Sequence, residues 1–176
     1  MAAHGVAGEV DAVGRDVQVR LGEVEDFFNK EFERAEPMVR DVATYVLGSG
    51  GKRLRPALVL LVSRMLGYTG ERDVRYAAVV EMIHTATLIH DDIEDGDRLR
   101  RGRPTLWSIW GQPQAINTGD ALFALAYRSL LNLNSADLSP ETILRITQRY
   151  TNTILKITEG QCFDIDFETE TTVAES

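Results

Sequence analysis

The sequence predicts an all-α protein, and three observations lead to that fold class. Apolar residues recur three or four positions apart along most of the chain, as on one face of a helix. The alternating runs typical of β-strands are scarce, and no internal repeat or linker interrupts the pattern. With 176 residues, of which 44% are hydrophobic, the chain is long enough for one core, so we expect a single helical domain over residues 1–176.

Three helices are expected in the first part of the chain. The first spans Val10–Phe32, where apolar residues form one stripe: Val13, Val17, Leu21, Val24, Phe28 and Phe32. The second spans Pro37–Gly48 and is followed by a loop over residues 48–51, whose glycines disfavour a helix. Pro56 suits the first turn of a third helix, and Ala57–Leu66 is apolar nearly all round, which predicts a central buried element.

Three further helices are expected in the second part of the chain. One runs from Glu71 to about Asp95 and is followed by a charged loop over Gly96–Pro104. The segment Thr118–Leu133 predicts another apolar helix. Ser139 and Pro140 have the residue types of an N-cap and a first helical position, so the last helix starts there and continues towards Gly160.

Composition and charge exclude several classes of protein. The chain has 19 basic and 27 acidic residues, and its net charge of −8 at pH 7 argues against general nucleic-acid binding. The single cysteine, Cys162, excludes an intrachain disulfide and a zinc cluster. The longest apolar stretch, Pro56–Val62, is too short to span a bilayer, and the first ten residues lack the basic start of a secretory signal. We therefore expect a soluble, cytoplasmic protein without a transmembrane segment.

The most informative segment is the acidic end of the fourth predicted helix. A helix turns about 100° per residue, so Asp91, Asp92 and Asp95 converge on one edge, where they repel one another without a counterion. Oxygen ligands suit Mg²⁺, which also accepts phosphate oxygens, and the pattern indicates a metal-bridged phosphate. The alternative is a solvated acidic helix end. The apolar run before the cluster, with Thr87 and Leu88 on the same side, favours the metal site because it predicts a buried face.

Two basic clusters flank the acidic one. The first contains Lys52, Arg53 and Arg55 just before a helix start, where both side-chain charge and free N–H groups favour an anion. It is not a Walker A loop, because Arg53 stands where Ser or Thr is required. The second has four arginines suited to bidentate phosphate contacts: Arg98, Arg100, Arg101 and Arg103. A solvated turn and weak surface ion pairs are the alternatives, but three clusters together suit a pair of diphosphate substrates.

Taken together, these segments resemble the trans-polyprenyl diphosphate synthase family, the head-to-tail isoprenyl transferases. Two separated motifs match, Gly51–Pro56 and Asp91–Asp95, the latter followed by Arg100–Gly102. Supporting matches lie on either side of the aspartates: Glu81–Thr85 and Asn117–Asp120. The resemblance covers roughly residues 20–168 and implies a bundle of antiparallel helices of the isoprenoid synthase type, truncated to its N-terminal part.

The resemblance implies a Mg²⁺-dependent transferase that joins isopentenyl diphosphate to an allylic diphosphate with loss of pyrophosphate. Asp91, Asp92 and Asp95 would be the catalytic ligands that hold Mg²⁺ on the allylic diphosphate, and Arg100 would contact the same group. Four residues would hold isopentenyl diphosphate: Lys52, Arg55, His84 and Arg101. Metals would stabilise the leaving pyrophosphate, so no protein nucleophile is required.

The resemblance also bears on product length. In this family the residues four and five positions before the first aspartate shape the pocket that receives the growing chain. Here they are Thr87 and Ala86, both small. We therefore expect a polyprenyl diphosphate of C20 or longer.

The sequence departs from the family after the shared motifs. A second aspartate-rich motif and a Lys-Thr pair do not occur in it, and Asp164, Asp166 and Glu168 are spread around a helix and replace them poorly. We expect a fragment or one component completed by another polypeptide, with a homodimer as the family's usual assembly. The competing functions are a non-catalytic partner subunit or inactive fragment and, third, a metal-dependent phosphohydrolase, which would need water-activating His/Asp pairs.

Overall fold

Seven helices and one short hairpin form the part of the chain that the structure describes, residues 2–33, 37–48, 51–133 and 138–169 of a computed structural model. The elements are α1 Ala2–Glu33, α2 Pro37–Leu47, α3 Leu54–Met65, α4 Arg72–Glu94, β1 Leu99–Arg100, β2 Arg103–Pro104, α5 Leu106–Trp110, α6 Gln112–Leu133 and α7 Pro140–Thr169. The all-α prediction is confirmed. The chain divides into two compact units, Met1–Leu133 and Asn134–Ser176, and the single helical domain stays a prediction.

Helix α4 is the central element of the first unit and packs against α1, α3 and, most extensively, α6. Its bounds lie within one residue of those that the sequence predicted. Small and medium side chains make up most of its buried face: Val74, Ala77, Ala78, Val79, Met82, Ala86 and Ile89. Because alanines recur in this face, α6 can approach closely, and Leu122 and Ala126 of α6 are completely buried.

A buried ion pair joins α1 to the beginning of α4. The side chain of Asp73 is only 2% exposed and accepts a hydrogen bond from Arg20 of α1. Arg20 also donates from Nη2 to the carbonyl oxygen of Gly70, over 3.1 Å. A buried carboxylate without such a partner would be strongly destabilising, so this pair fixes where α1 crosses α4.

The apolar stripe predicted for α1 faces the core. Four of its residues are buried: Val17, Val24, Phe28 and Phe32. Val13 is 44% exposed, and the helix begins at Ala2, well before the expected Val10. Helix α2 ends one residue before the predicted Gly48, and residues 49 and 50 of the predicted loop lie outside the described residues.

The sequence predicted α3 as a central buried helix, and this prediction was wrong. Pro56 and Leu60 are its buried residues, whereas Leu58 is 59% exposed and Met65 is 84% exposed. The helix packs against α1 and α4 through one side. A segment that is apolar all round has no distinct face in its sequence, so periodicity could not identify the packed side.

The predicted loop over Gly96–Pro104 contains the β1–β2 hairpin, and α5 follows it directly. Leu99 pairs with Pro104 and Arg100 with Arg103, while Arg101 and Gly102 form the turn with positive φ angles of 54° and 76°. Two positive φ angles suit the right-handed twist of paired strands. Both elements are too short to show a periodicity in sequence. The next helix, α6, begins at Gln112 and therefore precedes its predicted start, Thr118.

Helix α7 belongs to the second compact unit and begins as predicted. The backbone N–H of Thr142 donates to Ser139 Oγ over 3.2 Å, which confirms the N-cap. The helix continues past Gly160 to Thr169, because one glycine inside a long helix costs only about 1 kcal/mol. Among the residues with described placement, no helix combines the length and apolar character needed to cross a membrane.

Two leucines of α3 provide a test of this packing. Leu60→Ala should lower the free energy of unfolding by about 2–5 kcal/mol, because it leaves a cavity at a completely buried site. Leu58→Ala should change it by no more than about 0.5 kcal/mol, since that side chain is mostly exposed. Urea denaturation of both variants measures the difference, and equal losses would contradict the one-sided packing of α3.

Candidate functional site

The predicted aspartates occupy the last turns of α4, in three different environments. Asp91 is half-buried, Asp92 is 5% exposed, and Asp95 is the exposed C-cap residue. Arg100 of β1 donates a hydrogen bond from Nε to Asp92 Oδ1. Across the described ranges, no three His, Cys, Asp or Glu side chains converge tightly enough to form a metal site by themselves.

Burial and mutual repulsion make the acidic cluster electrostatically unfavourable. Desolvation raises the pKa of Asp91, and the negative charges of Glu94, Asp95 and Asp92 raise it further, against the opposing effect of Arg100. Desolvation also raises the pKa of Asp92, although its hydrogen bond from Arg100 acts in the opposite direction. A divalent cation near these carboxylates would relieve the repulsion.

The donor chemistry of the cluster fits Mg²⁺. Its side-chain oxygens are hard ligands, and Asp91 and Asp95 lie one helical turn apart on the same face. Mg²⁺ commonly takes one or two carboxylates and completes its shell with water and substrate phosphate oxygens. A complete set of three protein ligands is therefore not required for this ion.

A second feature, the cationic cleft, lies beside the acidic cluster. It measures about 510 Å³ and is lined mainly by the loop before α3, by α4 and by the hairpin turn. Four of its lining residues are those predicted from the resemblance to hold a diphosphate: Lys52, Arg55, His84 and Arg101. The guanidinium of Arg101 lies so close to Gly51 that a Cβ atom at residue 51 would be 2.7 Å from Arg101 Nη1. The Arg101 side chain therefore reaches from the hairpin turn to the loop before α3.

His84 acts as an acceptor in the cationic cleft. Arg55 Nη1 lies 3.0 Å from His84 Nε2, and because a guanidinium can only donate, the imidazole must accept and be neutral. Burial lowers the pKa of His84, and the positive charges of Arg55, Arg101 and Arg100 lower it further against the opposing charge of Glu81. The structure thus brings His84 to the predicted cleft and pairs it with a predicted neighbour.

The four arginines of the second basic cluster have different partners. Arg100 pairs with Asp92, whereas Arg98 stacks 5.2 Å from the ring centroid of Trp107. Arg103 donates to the carbonyl oxygen of Gly48 over 3.1 Å and lies 4.7 Å from the ring centroid of Tyr45. Only some of these arginines therefore lie at the acidic cluster or at the cationic cleft. For Arg100, the structure shows an ion pair with Asp92, which was the alternative to a phosphate contact.

The sequence indicated Arg53 as a cation of the first basic cluster but did not predict its pairing with Glu81. Arg53 donates from Nη1 to Glu81 Oε1 over 2.7 Å, and the two side chains are only 14% and 9% exposed. Glu81 could have been singled out from the sequence by its position, because it is an acid on the apolar face of α4, between Ala78 and Thr85. A buried acid at such a place requires a cationic partner.

The two residues predicted to shape the product pocket differ in exposure. Ala86 is completely buried, whereas Thr87 is half-buried and donates from Oγ1 to the carbonyl oxygen of His84 over 2.8 Å. Leu88 and His84 are also half-buried, so the face beside Asp91 is less enclosed than the sequence predicted. Nearby His90, which had no predicted role, contacts α6 through Ile116 and Asp120.

The helical architecture is that of the isoprenoid synthase fold class, as its solved structural neighbours show. A family model described as polyprenyl synthetase matches residues 36–176. The chain therefore belongs to the polyprenyl synthetase family, and the resemblance seen in its motifs is confirmed.

Individual relatives agree with this assignment. The chain is 38% identical over 148 residues to a geranylgeranyl diphosphate synthase of Sulfolobus acidocaldarius, covering 84% of this chain and 44% of that protein. The solved geranylgeranyl pyrophosphate synthetase of Geoglobus acetivorans matches with a TM-score of 0.81 and 35% identity, over 90% of this chain and 51% of that one.

A third relative is a solved polyprenyl synthase of Caulobacter crescentus complexed with calcium and isoprenyl diphosphate. It matches with a TM-score of 0.74 and 33% identity, over 87% of this chain and 44% of that one. The chain thus spans about half the length of the relatives that it matches.

Asp91→Asn should raise the melting temperature at pH 7. The raised pKa of Asp91 means that the folded state binds more protons than the unfolded state above about pH 3.8, so stability falls as the pH rises through that window. Removing the charge relieves this loss, and the gain should vanish at about pH 2, where the carboxyl is protonated in both states. Thermal denaturation at the two pH values measures the effect. Asn at the exposed Asp164 serves as control, and a lower melting temperature for Asp91→Asn at pH 7 would contradict the repulsion argument.

Proposed function

We propose that this chain carries the substrate-binding half of a prenyltransferase, which condenses isopentenyl diphosphate with an allylic diphosphate. One observation carries the proposal: the β1–β2 hairpin joins the two candidate sites through consecutive residues. Arg100 contacts the aspartate cluster through Asp92, and Arg101 lies over Gly51 in the cationic cleft. Two diphosphate substrates held on either side of this hairpin would be neighbours, so that the allylic carbon of one could meet the alkene of the other.

In this proposal the acidic cluster holds the allylic diphosphate. Asp91, Asp92 and Asp95 would bind Mg²⁺, and Arg100 would turn from Asp92 towards the same diphosphate. Bound Mg²⁺ supplies Lewis-acid stabilisation of the leaving pyrophosphate. The relative from Caulobacter crescentus, solved with calcium and isoprenyl diphosphate, supports a divalent cation and this ligand class.

The cationic cleft would hold isopentenyl diphosphate. Lys52, Arg55 and Arg101 supply positive charge, and His84 keeps Arg55 in place by accepting its hydrogen bond. The bond between the allylic carbon and the diphosphate oxygen breaks to give an allylic cation. The alkene of isopentenyl diphosphate then attacks this carbon, and loss of a proton restores a double bond.

The product proposed is a polyprenyl diphosphate of C20 or longer. Ala86 and Thr87 are small, so neither of these two positions places an aromatic side chain near the aspartates. The names of two of the matched relatives, geranylgeranyl diphosphate synthases, support this length.

A second candidate function is a non-catalytic partner subunit or an inactive fragment of such a synthase. The observation that favours it is the coverage, because the matched relatives are about twice as long as this chain. Under either function we propose a cytoplasmic location and assembly as a homodimer or with a completing subunit.

The test of the main proposal is incorporation of labelled isopentenyl diphosphate into farnesyl diphosphate by the purified chain. Elongation with Mg²⁺ that stops with EDTA supports a catalytic chain, and the product's length tests the contribution of Ala86 and Thr87. No incorporation by a folded chain that still binds both diphosphates would favour the partner subunit. A folded chain that binds neither diphosphate would contradict the main proposal and leave an inactive fragment.

The double variant Asp91→Ala, Asp92→Ala should abolish the Mg²⁺-dependent part of allylic diphosphate binding. We expect this loss because the variant lacks two of the three proposed metal ligands. Isothermal titration with farnesyl diphosphate, with Mg²⁺ and with EDTA, measures that part. Unchanged Mg²⁺-dependent affinity would overturn the metal assignment.

Arg55→Ala should weaken isopentenyl diphosphate binding by about tenfold or more and leave farnesyl diphosphate binding nearly unchanged. A charge-assisted hydrogen bond of this kind contributes about 1.5–3 kcal/mol. Ala at the exposed Arg15 removes the same charge far along α1 and should affect neither ligand. Equal losses for the two diphosphates would show that the cleft and the acidic cluster are not separate sites.

A further inference from the structure

An acidic residue lines the cationic cleft, where it would repel a bound diphosphate. Glu81 is 7% exposed and shares the cleft with Lys52, Arg55 and Arg101. A carboxylate beside an anion lowers affinity by Coulomb repulsion, most strongly at a site with little water. Its presence at this point therefore requires an explanation other than ligand binding.

The contacts of Glu81 supply that explanation, because the residue holds Arg53. Arg53 Nη1 donates to Glu81 Oε1 over 2.7 Å, and Nη2 donates to the carbonyl oxygen of Leu47 at the end of α2 over 2.6 Å. Arg53 Nε also lies 3.6 Å from the carboxylate of Glu25 on α1. The guanidinium thus spans three helices and is directed into the protein.

The backbone at Arg53 makes this anchor important for its neighbours. Arg53 is the N-cap residue of α3 and has the left-handed conformation, with φ 47° and ψ 35°. That conformation is uncommon for a residue other than glycine and persists only where surrounding contacts hold it. Lys52 lies directly before this turn and Arg55 in the first helical turn after it, and both are exposed at the cleft.

The loop is attached to α4 at two successive positions. Glu81 holds Arg53, and His84, three residues further along the same helix, accepts from Arg55 over 3.0 Å. Residues three apart lie on one face of a helix, so the two attachments form one row. The loop therefore has little freedom to rotate its cations away from the cleft.

We propose that Arg53 and Glu81 are positioning residues that hold Lys52 and Arg55 in place to bind the diphosphate of isopentenyl diphosphate. This inference rests on the proposed function of the cleft. Glu81 raises affinity indirectly, through Arg53, even though its own charge opposes the ligand. Neither residue needs to touch the substrate.

Glu81→Gln tests the proposal because the two explanations predict opposite signs. Removal of a negative charge from the cleft should strengthen anion binding if electrostatics alone acts. A weakened anchor should lower the affinity by about tenfold, since Arg53 is then held by a neutral amide instead of by a buried carboxylate. Isothermal titration of the full chain with inorganic pyrophosphate in EDTA, and separately with isopentenyl diphosphate, measures the sign.

Two control variants separate positioning from charge and from general destabilisation. Glu25→Gln changes the charge by the same amount beside the same Arg53, at a side chain that is 61% exposed, and should leave the affinity unchanged or slightly higher. Asp73→Asn weakens another buried ion pair between α1 and α4 and should lower the melting temperature without changing the affinity.

The outcomes are distinguishable. Unchanged or tighter pyrophosphate binding by folded Glu81→Gln overturns the inference while the proposed function stands. Failure of the wild-type chain to bind either anion overturns the proposed function and the inference with it. If Glu81→Gln does not fold by circular dichroism, Arg53→Lys replaces it, because it keeps the charge but not the forked contact. A tenfold loss for Arg53→Lys supports positioning, and unchanged affinity overturns it.

Discussion

Three buried carboxylates on one helix determine how the first unit is assembled. Asp73, Glu81 and Asp92 are all less than 9% exposed along α4, and a buried charge is tolerated only when it is paired. Each pairs with an arginine from a different element: Arg20 of α1, Arg53 before α3 and Arg100 of β1. Burial in the packed interior removes these carboxylates from water, and the pairing then fixes the positions of three other segments.

The same constraint separates structural arginines from those available to a ligand. Arg53 neutralises the buried Glu81, while Lys52 and Arg55, from the same basic segment as Arg53, remain exposed at the cleft. A chain with a net charge of −8 can in this way present a local positive surface to an anion. Asp91 and Asp95, on either side of the paired Asp92 in the sequence, belong to the acidic cluster that we propose binds Mg²⁺.

Much of the fold could be predicted because the signals are local. Helix α4 and the start of α7 were located closely, since apolar spacing, a Ser-Pro cap and charged loops act within a few residues. The prediction failed for α3, whose burial depends on which neighbours cover it, and for α5 and the hairpin, which are too short to show a repeating pattern. The predicted cleft residues Lys52, Arg55, His84 and Arg101 do meet in space. The segments that carry these residues are far apart along the chain and come close in space only because α3, α4 and the hairpin pack together.

The sequence by itself determined the helical class, the family and the kinds of ligand that the clusters suit, because periodicity and residue chemistry are properties of short segments. Tertiary structure alone decided which charged side chains are exposed to a ligand and which are held in buried ion pairs. Arg53 and Arg55 are two residues apart and chemically identical, yet Arg53 is paired with Glu81 and Arg55 lies exposed beside His84. That difference arises from burial and from the elements packed nearby, neither of which is encoded in the spacing of the two arginines.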